Sequence, residues 1–293
     1  MAPHQPDRAH PSSLGFACRV AGALMGQGDA YFVDVEVPLA ALLDSMSKAP
    51  TAAAAPAPRS PTKCGAVWYQ ALAGSITQDN DHAIQSWTPQ EGLGVIAHPA
   101  KPNMTGTKLH PAGGIGFDMA VNTGLVAEGA LSETEQFTIA VRFDSPIGDA
   151  RSLVTVNPVD ADNYLFLSEK DGQLHWQDQQ STVEVTLPSP ASPAWVVVGY
   201  DHGRLSIVAA HEGHPLPGPT TSAAQNPQLD GDLSGSSDLF IGCRSHRKGI
   251  LKTLGQSQIK DVMVWADSFV LTPADADMLS ATCRFAETEG KSS

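Results

Sequence analysis

The sequence predicts an all-β protein, an antiparallel sandwich or barrel that carries a strand-containing N-terminal extension. Three observations lead there. Short runs with period-two alternation recur from Cys64 onward, broken by Gly, Pro, Asp and Asn. Asp171-Gly172 and Asp201-His202-Gly203 divide two of these runs, and such residues accept the positive dihedrals of a tight hairpin turn. No sustained helical period appears apart from two short segments.

In chain order, Tyr31, Val33, Val35 and Val37 alternate with Phe32, Asp34 and Glu36 in one strand that Pro38 stops. Leu39 to Met46 adds a turn or two of helix. One strand and a short helix cannot bury a core. Residues 1–46 are therefore an extension, not ordered by itself, whose segment 28–46 docks on the main domain or on a protein partner. Ala and Pro dominate 47–63, the composition of a semi-stiff linker. The main domain spans 64–284, and 285–293 is a tail. Within the domain, Phe137, Ile139, Val141 and Phe143 share one strand face, while Thr138, Ala140 and Arg142 take the other. Tyr164 to Ser168 and Leu174 to Trp176 are the arms of one hairpin, and residues 194–210 form a second. Residues 152–157, 181–188, 238–243 and 258–266 are further strands. A closing helix starts at Thr272, which can cap, with Pro273 first and Asp275 facing the dipole.

Composition narrows the function classes. A chain of 293 residues, 42% hydrophobic and 17% charged, suits a globular protein. Net charge is −13, and residues 1–63 sum to zero (five cations, five anions), so the acidic excess lies in 64–293. Such a domain repels polyanions, which argues against nucleic acid and favours neutral sugars, cations or a basic partner. No run approaches the roughly 18 apolar residues of a membrane helix. Arg19 interrupts the N-terminal apolar segment, so no secretory signal is expected. Cys18, Cys64, Cys243 and Cys283 contain no CxxC pair, which argues against a zinc site. A Cys243–Cys283 bridge and buried free thiols both fit.

The stretch from Asp238 to Leu279 resembles the closing segment of laminin-G-like domains in the concanavalin A-like lectin-glucanase superfamily. The matching positions are Ile241-Gly242, Ile259, Asp261-Val262, Val264-Trp265, Leu271-Thr272 and Asp275. Trp87, Gly92 and Gly94 are similar to the family's Trp-x-Asp-x-x-Gly-x-Gly motif, with Pro89 where Asp is usual. Residues 113–118, 136–143 and 195–208 look like further family strands, so the likeness covers about residues 66–280. It implies a two-sheet antiparallel jelly-roll sandwich. That superfamily hosts lectins, carbohydrate-binding modules, glycosidases and protein-binding domains, many with calcium, so fold alone does not settle function.

A glycosidase needs two carboxyl groups facing across about 5–9.5 Å. Glu133 with Glu135, Glu184 alone, and Asp261 with Asp267 do not present the superfamily's Glu-x-Asp-x-(x)-Glu strand. No Gly-x-Ser-x-Gly is present, and His211 to His214 lack the spacing of a helical zinc site. Oxygen ligands for calcium gather at Asp160, Asp162 and Asn163, and again at Asp230, Asp232, Ser234 and Asp238. An acidic turn that solvates its own backbone is the alternative for both. For sugar, an aromatic ring beside amides and carboxylates is required. Tyr164, Asn163, His175, Trp176, Gln177 and Asp178 meet at one end of the first hairpin, unless Trp176 is a core residue. Arg244, Arg247, Lys248 and Lys252 form a basic loop able to meet an acidic glycan. The expectation is a non-catalytic, lectin-like domain for cell-surface polysaccharide, mountable on a phage-like particle through its extension. Its rivals are an assembly module without glycan binding and a glycoside-active enzyme with an unrecognised site.

Overall fold

The computed structural model describes residues 57–101, 107–111, 113–118, 120, 123–244 and 255–290, with the backbone of 18–19 and 36–37. The chain divides into two compact units, Met1–Ala55 and Pro56–Ser293. In the first, β1 (Cys18–Arg19) pairs antiparallel with β2 (Glu36–Val37). The remainder of the extension, including most of segment 28–46 and the helix expected at 39–46, lies outside the described residues. The division falls within the stretch read as a linker, and its last residues go with the second unit, where the Arg59 amide donates to the Ala281 carbonyl.

The second unit is a two-sheet antiparallel jelly-roll sandwich. Its strands are β3 (Val67–Gln70), β4 (Ile76–Gln78), β5 (Ile84–Trp87), β6 (His98–Pro99), β7 (Lys108–Leu109) and β8 (Ile115–Asp118). Next come β9 (Leu125–Ser132), β10 (Gln136–Asp144), β11 (Val154–Pro158), β12 (Leu165–Lys170), β13 (Gln173–Asp178) and β14 (Glu184–Pro188). The last are β15 (Ala194–Asp201), β16 (Arg204–His211), β17 (Thr220–Thr221), β18 (Ser236–Ile241) and β19 (Gln256–Trp265). Among the described residues, one sheet has eight strands, in the order β17-β16-β15-β10-β19-β8-β7 with β3 also on β19. The other has seven, in the order β14-β13-β12-β11-β18-β9-β6. β4 and β5 pair separately.

Alternation builds the core. Phe137, Ile139, Val141 and Phe143 of one sheet meet Val154, Val156, Leu165, Leu167, Leu174 and Trp176 of the other. Both expected hairpins close on left-handed residues: Asp171 (φ 52) with Gly172 (φ 74), and His202 (φ 45) with Gly203 (φ 80). Gly242 ends β18 at φ 73, and a side chain there would run into the Phe117 ring. That is the physical reason for Gly in the Ile241-Gly242 pair.

The outer face of the eight-stranded sheet departs from expectation. Period two assigns Thr138, Ala140 and Arg142 to that face, yet all three are buried. The C-terminal helix, Ala276–Glu289, covers Ala140 and Arg142, its Leu279, Cys283 and Ala286 packed against Ala140, Trp68, Trp195, Met263 and Trp265, while Thr138 lies under the segment before it, donating to the Ser268 carbonyl at 3.0 Å and accepting from the Val270 amide at 2.9 Å. Residues 285–289, expected as tail, are thus part of this cover. The helix begins three residues later than Pro273 because Thr272 Oγ1 donates to Asp275 Oδ2 at 2.6 Å, closing a turn first. Cys243 belongs to a cluster with Phe240 outside the seven-stranded sheet, while Cys283 sits under the helix on the opposite side. Both are free thiols, so no bridge joins them.

Beneath the helix lies a buried polar network. Arg142 donates to Asp261 Oδ2 at 3.1 Å, to Glu212 Oε2 at 3.2 Å and to the Ala286 carbonyl at 3.2 Å. A bulge in β19, where Lys260 is the extra residue between Ile259 and Asp261 opposite Phe143 and Arg142, turns Asp261 outward to make this pair. Trp68 Nε1 donates to Asp261 and Trp195 Nε1 to Glu287, each at 2.9 Å. Burial pushes the Asp261 carboxyl up to about 6, against the opposing pull of Arg142 and Trp68. A carboxyl raised above its unfolded value of about 3.9 stabilises the fold fully below that value and loses the contribution as pH rises through about 6. Urea unfolding of wild type and Asp261→Asn between pH 4 and 7 should therefore show wild type gaining on the variant as pH falls. A difference that stays constant across this range would contradict the assignment.

Candidate glycan-binding face

β13 is the strand on which the candidate site divides. Leu174, Trp176 and Asp178 point inward and are fully buried, and the residues between them, His175 and Gln177, face outward. Trp176 is therefore corrected from a sugar platform to a core residue. Its Nε1 donates to the Gly199 carbonyl of β15 at 3.1 Å, and its ring meets Phe137 edge-on at 6.4 Å. An indole held this way has no face left for a pyranose.

Asn163 and Asp178 are likewise internal. Asn163 Nδ2 donates to Asp178 Oδ2 at 2.9 Å, and Asn163 Oδ1 accepts from the Tyr164 amide at 3.1 Å. Asp178 Oδ1 also accepts from the amides of Thr182 at 2.7 Å and Val183 at 2.9 Å, and Oδ2 from Thr182 Oγ1 at 2.9 Å. Burial, the largest influence, pushes this carboxyl up, but the bonds from Val183, Asn163 and Thr182 together outweigh it and hold it below the usual range. These residues tie the loop after β13 to the start of β12.

Calcium expectations change accordingly. Asp160 and Asp162 are exposed, but Asn163 is only 2% exposed and its carbonyl oxygen is already engaged. Among the described residues no group of three or more His, Cys, Asp or Glu is arranged to hold a metal ion. The second acidic stretch is not a ligand loop at all. Pro227–Leu233 is a helix capped by the Asn226 side chain, which accepts from the Gln228 and Leu229 amides. Asp230 accepts from the Tyr200 hydroxyl at 2.8 Å, and Asp238 from the Gly129 amide at 2.8 Å. The signal missed in the sequence was Asn226-Pro227, a cap followed by a first-turn proline.

What remains outward is a polar face on the seven-stranded sheet. Among the described residues all five tryptophans, Tyr69 and Tyr200 are buried, whereas Tyr164 keeps accessible surface. Its ring lies 5.9 Å from that of Phe166, two residues along the same face. Gln177 stands opposite Phe166 in register and opposite Glu184 on its other side. His175 Nδ1 contacts Glu184 Oε1 at 2.7 Å. Arg244, from the basic loop, sits over the Phe166 ring at 4.0 Å from its centroid. Arg247, Lys248 and Lys252 lie outside the described residues. Two clefts occur elsewhere. One, of about 210 Å³, is lined by residues including Lys108, His110, Asp118 and Gln258, and the other, of about 490 Å³, runs from Leu72 to Ser75 and Thr88 to Glu91.

No family model and no curated protein matches the chain. Solved structures similar to it include a GH54 α-L-arabinofuranosidase, 12% identical over 70% of this chain and 51% of that one, with a TM-score of 0.47. This chain thus spans about half of that enzyme's length. The LG1-3 region of the laminin alpha2 chain matches over 46% of this chain and 29% of its own, at 9% identity and a TM-score of 0.35. The CBM40 of a Ruminococcus gnavus IT-sialidase, bound to α2,6-sialyllactose, matches over 50% of this chain and 84% of its own, at 17% identity and a TM-score of 0.37. Identities this low say nothing of a ligand.

Replacing Asp178 with Ala orphans four donors, one of them the buried Val183 amide, and should cost roughly 2–4 kcal/mol at pH 7. Because this carboxyl is held low, its contribution is present above the unfolded value and lost as pH falls through the lowered one. Urea midpoints should therefore differ strongly at pH 7, and the difference should shrink only as pH falls below the unfolded carboxyl value of about 3.9. A variant as stable as wild type at pH 7 would remove Asp178 as the organiser of these loops.

Proposed function

We propose that this protein is a non-catalytic carbohydrate-binding module that holds cell-surface polysaccharide on the outer face of the seven-stranded sheet. The observation that carries the proposal is Tyr164, the Trp or Tyr ring with accessible surface among the described residues, on the same outer face as Gln177 of the neighbouring strand, with His175 and Glu184 farther along that face. A phenol ring offers an apolar face to a pyranose, and the amide, imidazole and carboxylate offer both donors and acceptors to its hydroxyls. Among the described residues each of the two clefts carries a single carboxylate, Asp118 in one and Glu91 in the other. Hydrolysis by the two-carboxylate route needs a facing pair, which favours binding over turnover at both.

A protein-interaction module is the second reading. Leu93, Val95 and Ile96 are 50%, 38% and 41% exposed, a run of apolar surface of the kind found where partners dock. Mounting on a phage-like particle would belong to this reading or to the first.

Purified protein should bind at least one bacterial surface polysaccharide saturably, and Tyr164→Ala should weaken binding at least 10-fold while the far-ultraviolet spectrum and urea midpoint stay near wild type. A chelator should leave binding unchanged, because Asn163 is committed to Asp178 and Tyr164. Full binding by Tyr164→Ala would sink this face as the site. Loss of binding by Leu93→Ser instead would favour the second reading.

A further inference from the structure

Arg244 is held in an unusual state for a surface cation. Its guanidinium lies over the Phe166 ring, Nη2 donates to the Arg151 carbonyl at 3.4 Å, and its other polar neighbour is the Tyr164 hydroxyl. Its Nε is buried and has no acceptor among the described residues. Among the described residues no carboxylate lies within ion-pair distance of it. The charged neighbour it does have is a second cation, Arg151, whose own carboxylate partner is Asp149 at 3.8 Å. Burial, the largest influence, pulls the guanidinium below the usual arginine range. A partly desolvated cation without a counter-charge costs free energy, and an anion set beside it relieves that cost. In a chain of net charge −13, an unpaired cation next to the accessible aromatic ring is out of keeping with its surroundings.

We propose that the ligand of this face carries a carboxylate, and that Arg244 reads it while Tyr164 stacks on the adjoining ring. The proposal rests on the glycan-binding reading above and names its substrate class. Guanidinium and carboxylate match as a planar fork, and the Phe166 ring holds the guanidinium in place before the ligand arrives. The acidic domain repels a dense polyanion. The fitting ligand is therefore a sparsely charged polysaccharide, one uronic acid among neutral sugars, rather than a continuous polyuronate.

The test uses matched pairs: glucuronoxylan and xanthan, each against its own carboxyl-reduced form, with the full chain. Wild type should bind the acidic member of a pair at least 10-fold more tightly, Arg244→Gln should erase that preference, and Arg244→Lys should restore part of it. Equal affinity for the two members, or a preference that survives in Arg244→Gln, overturns the carboxylate assignment and leaves glycan binding standing. Binding to neither member of either pair overturns this proposal. If Tyr164→Ala also matches wild type on the surface polysaccharides, the glycan-binding reading falls with it.

Discussion

The hydrogen bond from Trp176 Nε1 to the Gly199 carbonyl crosses the sandwich and couples its two sheets, and the face opposite depends on it. Burying a tryptophan of 150–250 Å² contributes roughly 4–6 kcal/mol, and the bond satisfies an indole that would otherwise be orphaned in the core. The inward side of β13 is thereby fixed. Because the side-chain period is two, fixing Trp176 inward places His175 and Gln177 outward. A one-residue slip would expose the indole and bury an imidazole and an amide in an apolar interior. The polar face is thus a consequence of what the core demands.

The two outer faces of the sandwich have gone different ways. The eight-stranded sheet is sealed by the C-terminal helix, and its tryptophans spend their N–H groups on Asp261, Glu287 and the Cys64 carbonyl. Such rings are structural. The seven-stranded sheet has its inner portion covered by a small cluster of Val126, Phe240 and Cys243, and toward β12–β14 it keeps a wet surface of amide, imidazole, carboxylate and phenol. Buried Asp178 supports that surface from below, because it holds the backbone on which Tyr164 stands. A network that is fully satisfied inside allows a neighbouring face to remain unsatisfied outside, where a ligand can complete it.

Much of this was legible in the residues. Asp171-Gly172 located the hairpin, and the alternation in β10 located the core side of the eight-stranded sheet. The hairpin also put Tyr164, His175 and Gln177 on adjoining strands of one sheet. What alternation cannot show is which of two faces turns inward when both carry polar and aromatic residues. In "LHWQD" the pattern is compatible with either, and only the packing of Trp176 against Phe137 and Gly199 decides it. Asn163 and Asp178 looked like ligand groups because polar residues in a loop resemble a binding site and an internal brace equally. The cover over Ala140 and Arg142 was hidden for a different reason. The helix that makes it is separated from them by more than 130 residues, and its weak periodicity gave no sign of where it would lie. Arg244 was visible as part of a basic loop, but its position over Phe166 depends on long-range pairing of β11, β12 and β18.

The central claim is that ligand is held on the outer face of the seven-stranded sheet and not in a cleft. Amide hydrogen exchange on the full chain, with and without saturating glucuronoxylan, tests it most directly. The account predicts added protection at residues 164–166, 175–177 and 184, with no change around Lys108–Asp118 and Gln256–Gln258. Protection confined to that second region would contradict it and move the site to the cleft beside His110.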